Sequence, residues 1–154
     1  MTERFDFGAT AGDAFRACLA LPKYVKSCDL DWGLQELIKI RASMVNGCAT
    51  CIDGHTADAA AHGETLRRIA SLAAWKEAAC YSAKERAALA FTDEMTLISQ
   101  GGVSDAVWDE MTQHFSDREI ADVMAAVIAI NVFNRLTITT HQLPEDLRAP
   151  ARAS

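Results

Sequence analysis

The sequence predicts an all-α fold, on three observations. Apolar residues recur at spacings of three and four, no segment alternates in the manner of a strand, and helix-capping residues punctuate the pattern. A first helical region is expected from about Gly12 to Lys26, with Pro22 kinking it or opening a second helix, because proline lacks the amide a helix interior needs. A helix from about Trp32 to Val45 places Leu34, Leu37, Ile38, Ala42 and Val45 on one stripe, and Asn46-Gly47 supplies its stop. The next, about Ala49 to Ala61, opens on CATC and ends before Gly63, a residue suited to a left-handed cap. Thr65 begins a short helix reaching Trp75. Ser82-Ala83-Lys84-Glu85 and Ser116-Asp117-Arg118-Glu119 both match the capping box, in which hydroxyl and carboxylate each satisfy an otherwise unpaired amide. The first box leads a helix to Gln100, a shorter helix follows from about Asp105 to His114, and the second box leads a helix from about Asp117 to Thr140. The chain reads as a single domain over 1–154, without linker or repeat, and with a loose tail after about residue 143.

Composition excludes several classes of function. A chain of 154 residues can bury a core without staples. Its net charge of −6 offers no basic surface for a phosphate backbone, so nucleic acid is not an expected partner. The start, Met1-Thr2-Glu3-Arg4-Phe5-Asp6, has no basic and then apolar run of the secretory type, and a cytoplasmic protein is expected. The strongest apolar stretch, Val123 to Phe133, is interrupted by Asn131 and is shorter than the ~20 residues that span a bilayer, so no membrane association is expected. Five cysteines, two of them close together, do not form a secreted disulfide framework. No glycine-rich phosphate loop is present, and no coloured cofactor is expected.

The chemistry concentrates in Gly47-Cys48-Ala49-Thr50-Cys51-Ile52-Asp53-Gly54-His55. Cysteines three apart on a helix are close enough for a modest adjustment to join them, so the pair can cycle between dithiol and disulfide. Both fall in the first turn, where unpaired amides and the helix dipole favour a thiolate. His55 shares their stripe, four residues after Cys51 and seven after Cys48. Its position assigns Cys51 as the attacking thiol and Cys48 as the resolving one. The opposite order has an argument of its own, since the first cysteine of many CxxC motifs is the better stabilised by the dipole.

Extended to Glu36, with eleven residues between it and Cys48, this spacing resembles the signature of AhpD-like alkylhydroperoxidases within the carboxymuconolactone decarboxylase superfamily. LIKIRASMVNGCATCIDGHTADAAAHGE is similar to the small single-domain branch, and the resemblance continues through LAAWKEA, ERAALAFTDEMTLI and INVFNRL, about residues 15 to 140. It implies a bundle of about six to eight helices that assembles into dimers, trimers or hexamers. It implies reduction of a hydroperoxide through Cys48 and Cys51, with Glu36 and His55 as a proton relay and a lipoylated or thioredoxin-like dithiol protein as reductant. Better-studied members often carry histidine just before the second cysteine, where this chain has Thr50, which implies weaker peroxidase activity. One branch of the superfamily is a lyase that decarboxylates a muconolactone without a cysteine pair, and CATC argues against it.

Plainer readings compete at each position. The cysteines could be small core residues, or Cys48, Cys51, His55 and His62 could hold zinc in a metal-stabilised binding module, although one two-turn stripe wraps poorly around a tetrahedral ion. Glu36 taken by itself reads as a solvated carboxylate near Lys39. Cys18, Cys28 and Cys80 have no partner pattern and read as structural. Trp32, Trp75 and Trp108 read as core or contact residues. Asn131, Asn134 and Arg135 interrupt an apolar helix and would line either a pocket or an interface. In that helix Val123, Met124, Val127, Ile128, Ile130, Val132 and Phe133 face almost every direction, which calls for cover all round. A homo-oligomer is therefore expected, with a central helix inside a monomer as the alternative. Light scattering should give a solution mass that is a multiple of the chain's, and a monomer mass would select the alternative.

Overall fold

Asp31, Thr65, Ser82, Ser104 and Ser116 each accept a hydrogen bond from the amide three residues on, and a helix starts after each of them. The computed structural model describes residues 2–144 and 147. In chain order they form α1 (Phe7–Thr10), α2 (Gly12–Ser27), α3 (Trp32–Asn46), α4 (Ala49–Ala61), α5 (Leu66–Ser71), α6 (Ala83–Thr96), α7 (Asp105–His114) and α8 (Asp117–Thr140), with no strand among the described residues. Both capping boxes close reciprocally, at Ser82/Glu85 and Ser116/Glu119. The tail expected to be loose lies almost entirely outside the described residues.

Four boundaries depart from expectation. α2 continues as one helix through Pro22, so no second helix opens there; packing on both sides of it, by Leu21 and Val25 against the main core, offsets the hydrogen bond that proline removes. The helix after Thr65 leaves α geometry at Ser71 and continues as a 3₁₀ turn, Leu72–Ala74, where the Leu72 carbonyl is taken by the Arg41 guanidinium at 3.1 Å. α6 stops at Thr96, since Leu97 leaves the helical region (φ −95°, ψ 37°) and a 3₁₀ turn, Ile98–Gln100, follows. α1 is a single turn capped by Asp6, too short for periodicity to reveal.

α3 and α8 form the centre. Leu34 and Ile38 of α3 join Val123, Ala126 and Val127 of α8, with Ala88, Phe91 and Met111, in the main core. The opposite face of α3, through Leu37 and Ile40, meets Leu72, Trp75, Tyr81 and Leu89 in a second core. Val45, expected on the apolar stripe, is only half-buried. Arg41 clamps α3 to α6 with two bonds to Asp93, at 2.5 and 3.0 Å, and the indole of the buried Trp75 donates to the same carboxylate at 3.1 Å. Trp108, read as a core or contact residue, is 45% exposed and so is a contact residue only. Its ring lies at the edge of Phe91.

α8 is covered on one side only. Val123, Val127 and Ile130 are buried, while Met124, Ile128 and Ile138 remain exposed, and the expected homo-oligomer concerns this open strip. Its 24 residues are long and apolar enough to cross a membrane by length and composition, which the shorter apolar stretch did not suggest. In this fold the helix also buries Asp122, which accepts from the Tyr24 hydroxyl, and Asn134.

The polar residues of α8 join it to the end of α3. Asn46 donates to Asn131 at 3.0 Å and to Asn134 at 2.8 Å, and Asn134, fully buried, donates to Ser43 at 3.0 Å. Asn131 also donates to Thr96, and Arg135 turns back onto Asn131. These residues therefore fasten helices to one another, and every buried amide in the set finds a partner. Asn134→Ala would strand the Ser43 hydroxyl in the interior and take from the Asn46 amide one of its two acceptors. Urea unfolding should show a loss of about 3 kcal/mol with an unchanged slope.

Candidate functional site

The joint between α3 and α4 is two residues wide, Gly47 and Cys48. Gly47 adopts a left-handed conformation (φ 73°, ψ 34°), its amide reaches the Met44 carbonyl and the Cys48 amide reaches that of Ser43 at 2.9 Å. This is the paired closure of a glycine-terminated helix. Cys48 thus ends α3 and also caps α4, where its Sγ accepts from the Cys51 amide at 3.3 Å. The expectation of two cysteines in the first turn becomes one at the cap and one three residues inside. Their Cα atoms are 5.4 Å apart and the sulfurs are joined as a disulfide. The pair packs with Ala42 and Ile130, so the bridge is nearly buried, with Cys48 at 1% and Cys51 at 8% exposure.

Glu36 is no solvated carboxylate. It is 3% exposed, and its two oxygens are divided between the His55 imidazole (Nδ1, 2.7 Å) and the Lys39 ammonium (2.7 Å). Burial pushes its pKa upward, but the bonds from His55 and Lys39 overcome this and hold it below the ordinary carboxylate value. An ionised carboxylate only accepts, so Nδ1 of His55 is the donor and Nε2 is the ring nitrogen that this bond leaves free. The imidazole borders an apolar cavity of about 90 Å³ lined by Pro22, Val25, Lys39, Ala129, Ile130 and Phe133. Glu36 and His55 are in contact, whereas among the described residues no hydrogen bond joins the imidazole to either sulfur. Cys51 and His55 are related by their places one turn apart on α4.

The side chain that does touch the sulfurs is Thr137, which the sequence reading did not single out. Its hydroxyl lies 3.0 Å from Cys48 Sγ and 3.5 Å from Cys51 Sγ. No local pattern marks it: it is a threonine three residues beyond Asn134 on an apolar helix, 86 residues from Cys51. Beyond it opens a groove of about 470 Å³ bordered by Gly47, Cys48, Ala49, Thr50, Ile138, His141, Gln142 and Leu143. Thr50, at the position where histidine was the comparison, donates its hydroxyl to the Gln142 carbonyl at 2.5 Å and ties α4 to the segment after α8.

The four proposed zinc ligands are not brought together. The cysteines are bonded to each other, and His62 stacks on Trp32 with ring centres 4.0 Å apart while its Nδ1 bonds the Asp58 carbonyl. Among the described residues the side chains near enough to share an ion are Glu36, His55 and Asp58, of which Glu36 already accepts from the Lys39 ammonium and the His55 imidazole. Cys18 and Cys28 are half-buried thiols and Cys80 is exposed, so Cys80 is not part of the core.

The sequence profile of the carboxymuconolactone decarboxylase family matches residues 12–94, a span that includes Glu36, Cys48, Cys51 and His55. The chain is 37% identical over 138 residues to the uncharacterized protein YdfG of Bacillus subtilis (strain 168), covering 90% of this chain and 94% of that protein. It is similar to the crystal structure of ATU0492 from Agrobacterium tumefaciens, a protein of unknown function suggested to be the antioxidant defence protein AhpD. The TM-score is 0.90 with 35% identity, over 93% of this chain and 99% of that one. A peroxidase-related protein from Ralstonia eutropha JMP134, with an alkylhydroperoxidase AhpD core, gives a TM-score of 0.78 and 25% identity over 90% of this chain and 74% of its own.

The Glu36 contacts generate a pH test. Because its folded pKa lies below the unfolded one, the stabilisation it provides is present above the ordinary carboxylate range and is lost as pH falls through the folded value. Glu36→Gln should therefore lower the thermal midpoint most near neutral pH, and the gap from the unsubstituted protein should close in acid. A gap independent of pH would show that charge is not what Glu36 contributes.

Proposed function

We propose a function from one premise: this chain belongs to the carboxymuconolactone decarboxylase family and is AhpD-like. It is a thiol peroxidase, reducing a hydroperoxide with the electrons of the Cys48/Cys51 pair. The observation that carries this reading is a nearly buried, bridged cysteine pair on the same helix as an imidazole that is held by a buried carboxylate. ATU0492, suggested to be an antioxidant defence protein, and the peroxidase-related Ralstonia protein point the same way.

In the reduced enzyme Glu36 fixes His55 through Nδ1, and Nε2 takes the proton of Cys51, directly or through a water in the adjoining cavity. The Cys51 thiolate attacks the terminal peroxide oxygen. The O–O bond breaks, the alkoxide leaves with the proton held by His55 as an alcohol, and Cys51 becomes a sulfenic acid. Cys48 then attacks the Cys51 sulfur, water departs, and the bridge forms. An external dithiol, such as a lipoylated or thioredoxin-like protein, returns two electrons and two protons. The site sits within one chain, and the homo-oligomer completes the cover of α8.

Intact mass and peptide mapping of the reduced protein, before and after one equivalent of an organic hydroperoxide, test the proposal. A prompt loss of two hydrogens mapped to a Cys48–Cys51 bridge, reversed by a dithiol, is the expected result. Two free thiols that do not react would overturn it in favour of a lyase on the same fold. The order of attack is read separately: Cys48→Ser should trap a sulfenic acid on Cys51, and a sulfenic acid appearing only in Cys51→Ser would reverse the assignment.

A further inference from the structure

The hydroxyl of Thr137 stands 3.0 Å from Cys48 Sγ and 3.5 Å from Cys51 Sγ, and it has one proton to give. Its oxygen is also 2.9 Å from the Phe133 carbonyl and 3.3 Å from that of Asn134. While the sulfurs are bonded to each other they carry no charge, and the proton rests on the Phe133 carbonyl one turn back. A thiolate is a stronger acceptor than a carbonyl. When the bridge opens, rotation about the Cβ–Oγ bond re-aims the proton at sulfur, and no heavy atom needs to move.

The geometry prefers one of the two sulfurs. Cys48 Sγ is the nearer to Thr137 and already faces the Cys51 amide at 3.3 Å, so two donors converge on it at the start of α4. We propose that Thr137 is a positioning residue that makes Cys48 the leaving thiolate when an external dithiol reduces the bridge. The inference rests on the thiol–disulfide reading of the site. One thiolate of the dithiol attacks Cys51 Sγ and forms a mixed disulfide there. The Cys48–Cys51 bond breaks, and its electron pair departs on Cys48 Sγ, where the Thr137 hydroxyl and the Cys51 amide receive it. The second thiol of the dithiol, deprotonated, then attacks its own partner sulfur and closes the external disulfide. This frees Cys51 as a thiolate beside His55, ready for the next oxidant. Two electrons pass from the dithiol to the pair. A leaving thiol of lower pKa departs faster, so the hydroxyl sets both the direction and the rate of opening.

The other titratable or charged groups around the bridge are His55 on α4, Glu36 and Lys39 on α3, and His141 at the end of α8, which borders the same groove as Cys48. On the far side of Thr137, Glu3 and Asp6 border a second cavity, and Arg4 bonds the Thr139 and Thr140 carbonyls. Substituting Thr137 leaves all of these in place, so a change in the ionisation of Cys48 reports the hydroxyl.

Thr137→Val removes the hydroxyl at nearly constant shape, Thr137→Ala removes it without the branched side chain, and Thr137→Ser retains it. Thiolate absorbance of the reduced proteins, followed against pH and assigned by mapped alkylation, gives the ionisation of each cysteine. Opening of the bridge by dithiothreitol at neutral pH gives the rate, and trapping with glutathione gives the sulfur that is attacked. The valine variant, or the alanine variant if valine does not fold, should raise the Cys48 pKa by about one unit, roughly tenfold in thiolate population. Opening should slow by about threefold. Serine should restore both, and glutathione should be found on Cys51. An unchanged Cys48 pKa without the hydroxyl, a shift that falls on Cys51 instead, or glutathione found on Cys48 would each overturn the proposal. None of these readouts uses a peroxide, so failure of the peroxidase reading and failure of this one are separate results.

Discussion

The packing of α3 against α8, closed at its end by the amides of Asn46, Asn131 and Asn134, is the constraint on which the rest of the site depends. Ser43 and Asn134 are fully buried, so their hydrogen bond has no water to compete with it. Displacing the two helices along each other would leave polar groups unpaired in the interior. That holds the end of α3 at a set height on α8. Gly47 and Cys48 come next in sequence, and Thr137 is the next turn of α8. The sulfurs and the hydroxyl meet because the asparagine contacts one turn earlier have already aligned their helices.

The same helix, α3, brings in the carboxylate. Glu36 lies a little over three turns before Cys48 and is buried beneath α4, where a lone charge would be unfavourable. Its partners, His55 from α4 and Lys39 from its own helix, make the buried charge tolerable. The contact that orients the imidazole therefore also fastens α4 onto α3. Structural and chemical roles are carried by the same atoms.

Much of this was legible in the sequence because it is local. The capping boxes at Ser82 and Ser116 and the glycine stop at Gly47 are decided by residues within one turn of each other, and both boxes formed as read. The order and approximate extent of the longer helices followed from periodicity. What was not legible depends on contacts between distant segments. Pro22 stays within a helix because the core packs on both sides of it, and the Leu72 carbonyl leaves its helix for an arginine 31 residues away. The family spacing pointed to Glu36, but nothing near it in sequence showed that it is buried. Thr137 was invisible for the same reason. It is 86 residues from Cys51, and a threonine near the end of an apolar helix carries no pattern of its own.

Cys48 both closes α3 and caps α4, and only it and Gly47 lie between the two helices. Two helices sharing a residue behave as one bent rod, and the angle of the bend is set by a backbone conformation that has no slack. Gain or loss of a single residue at this corner would rotate α4 by about 100° about its axis and carry His55 away from Glu36. The corner is thus a place where evolution can exchange side chains but not change length.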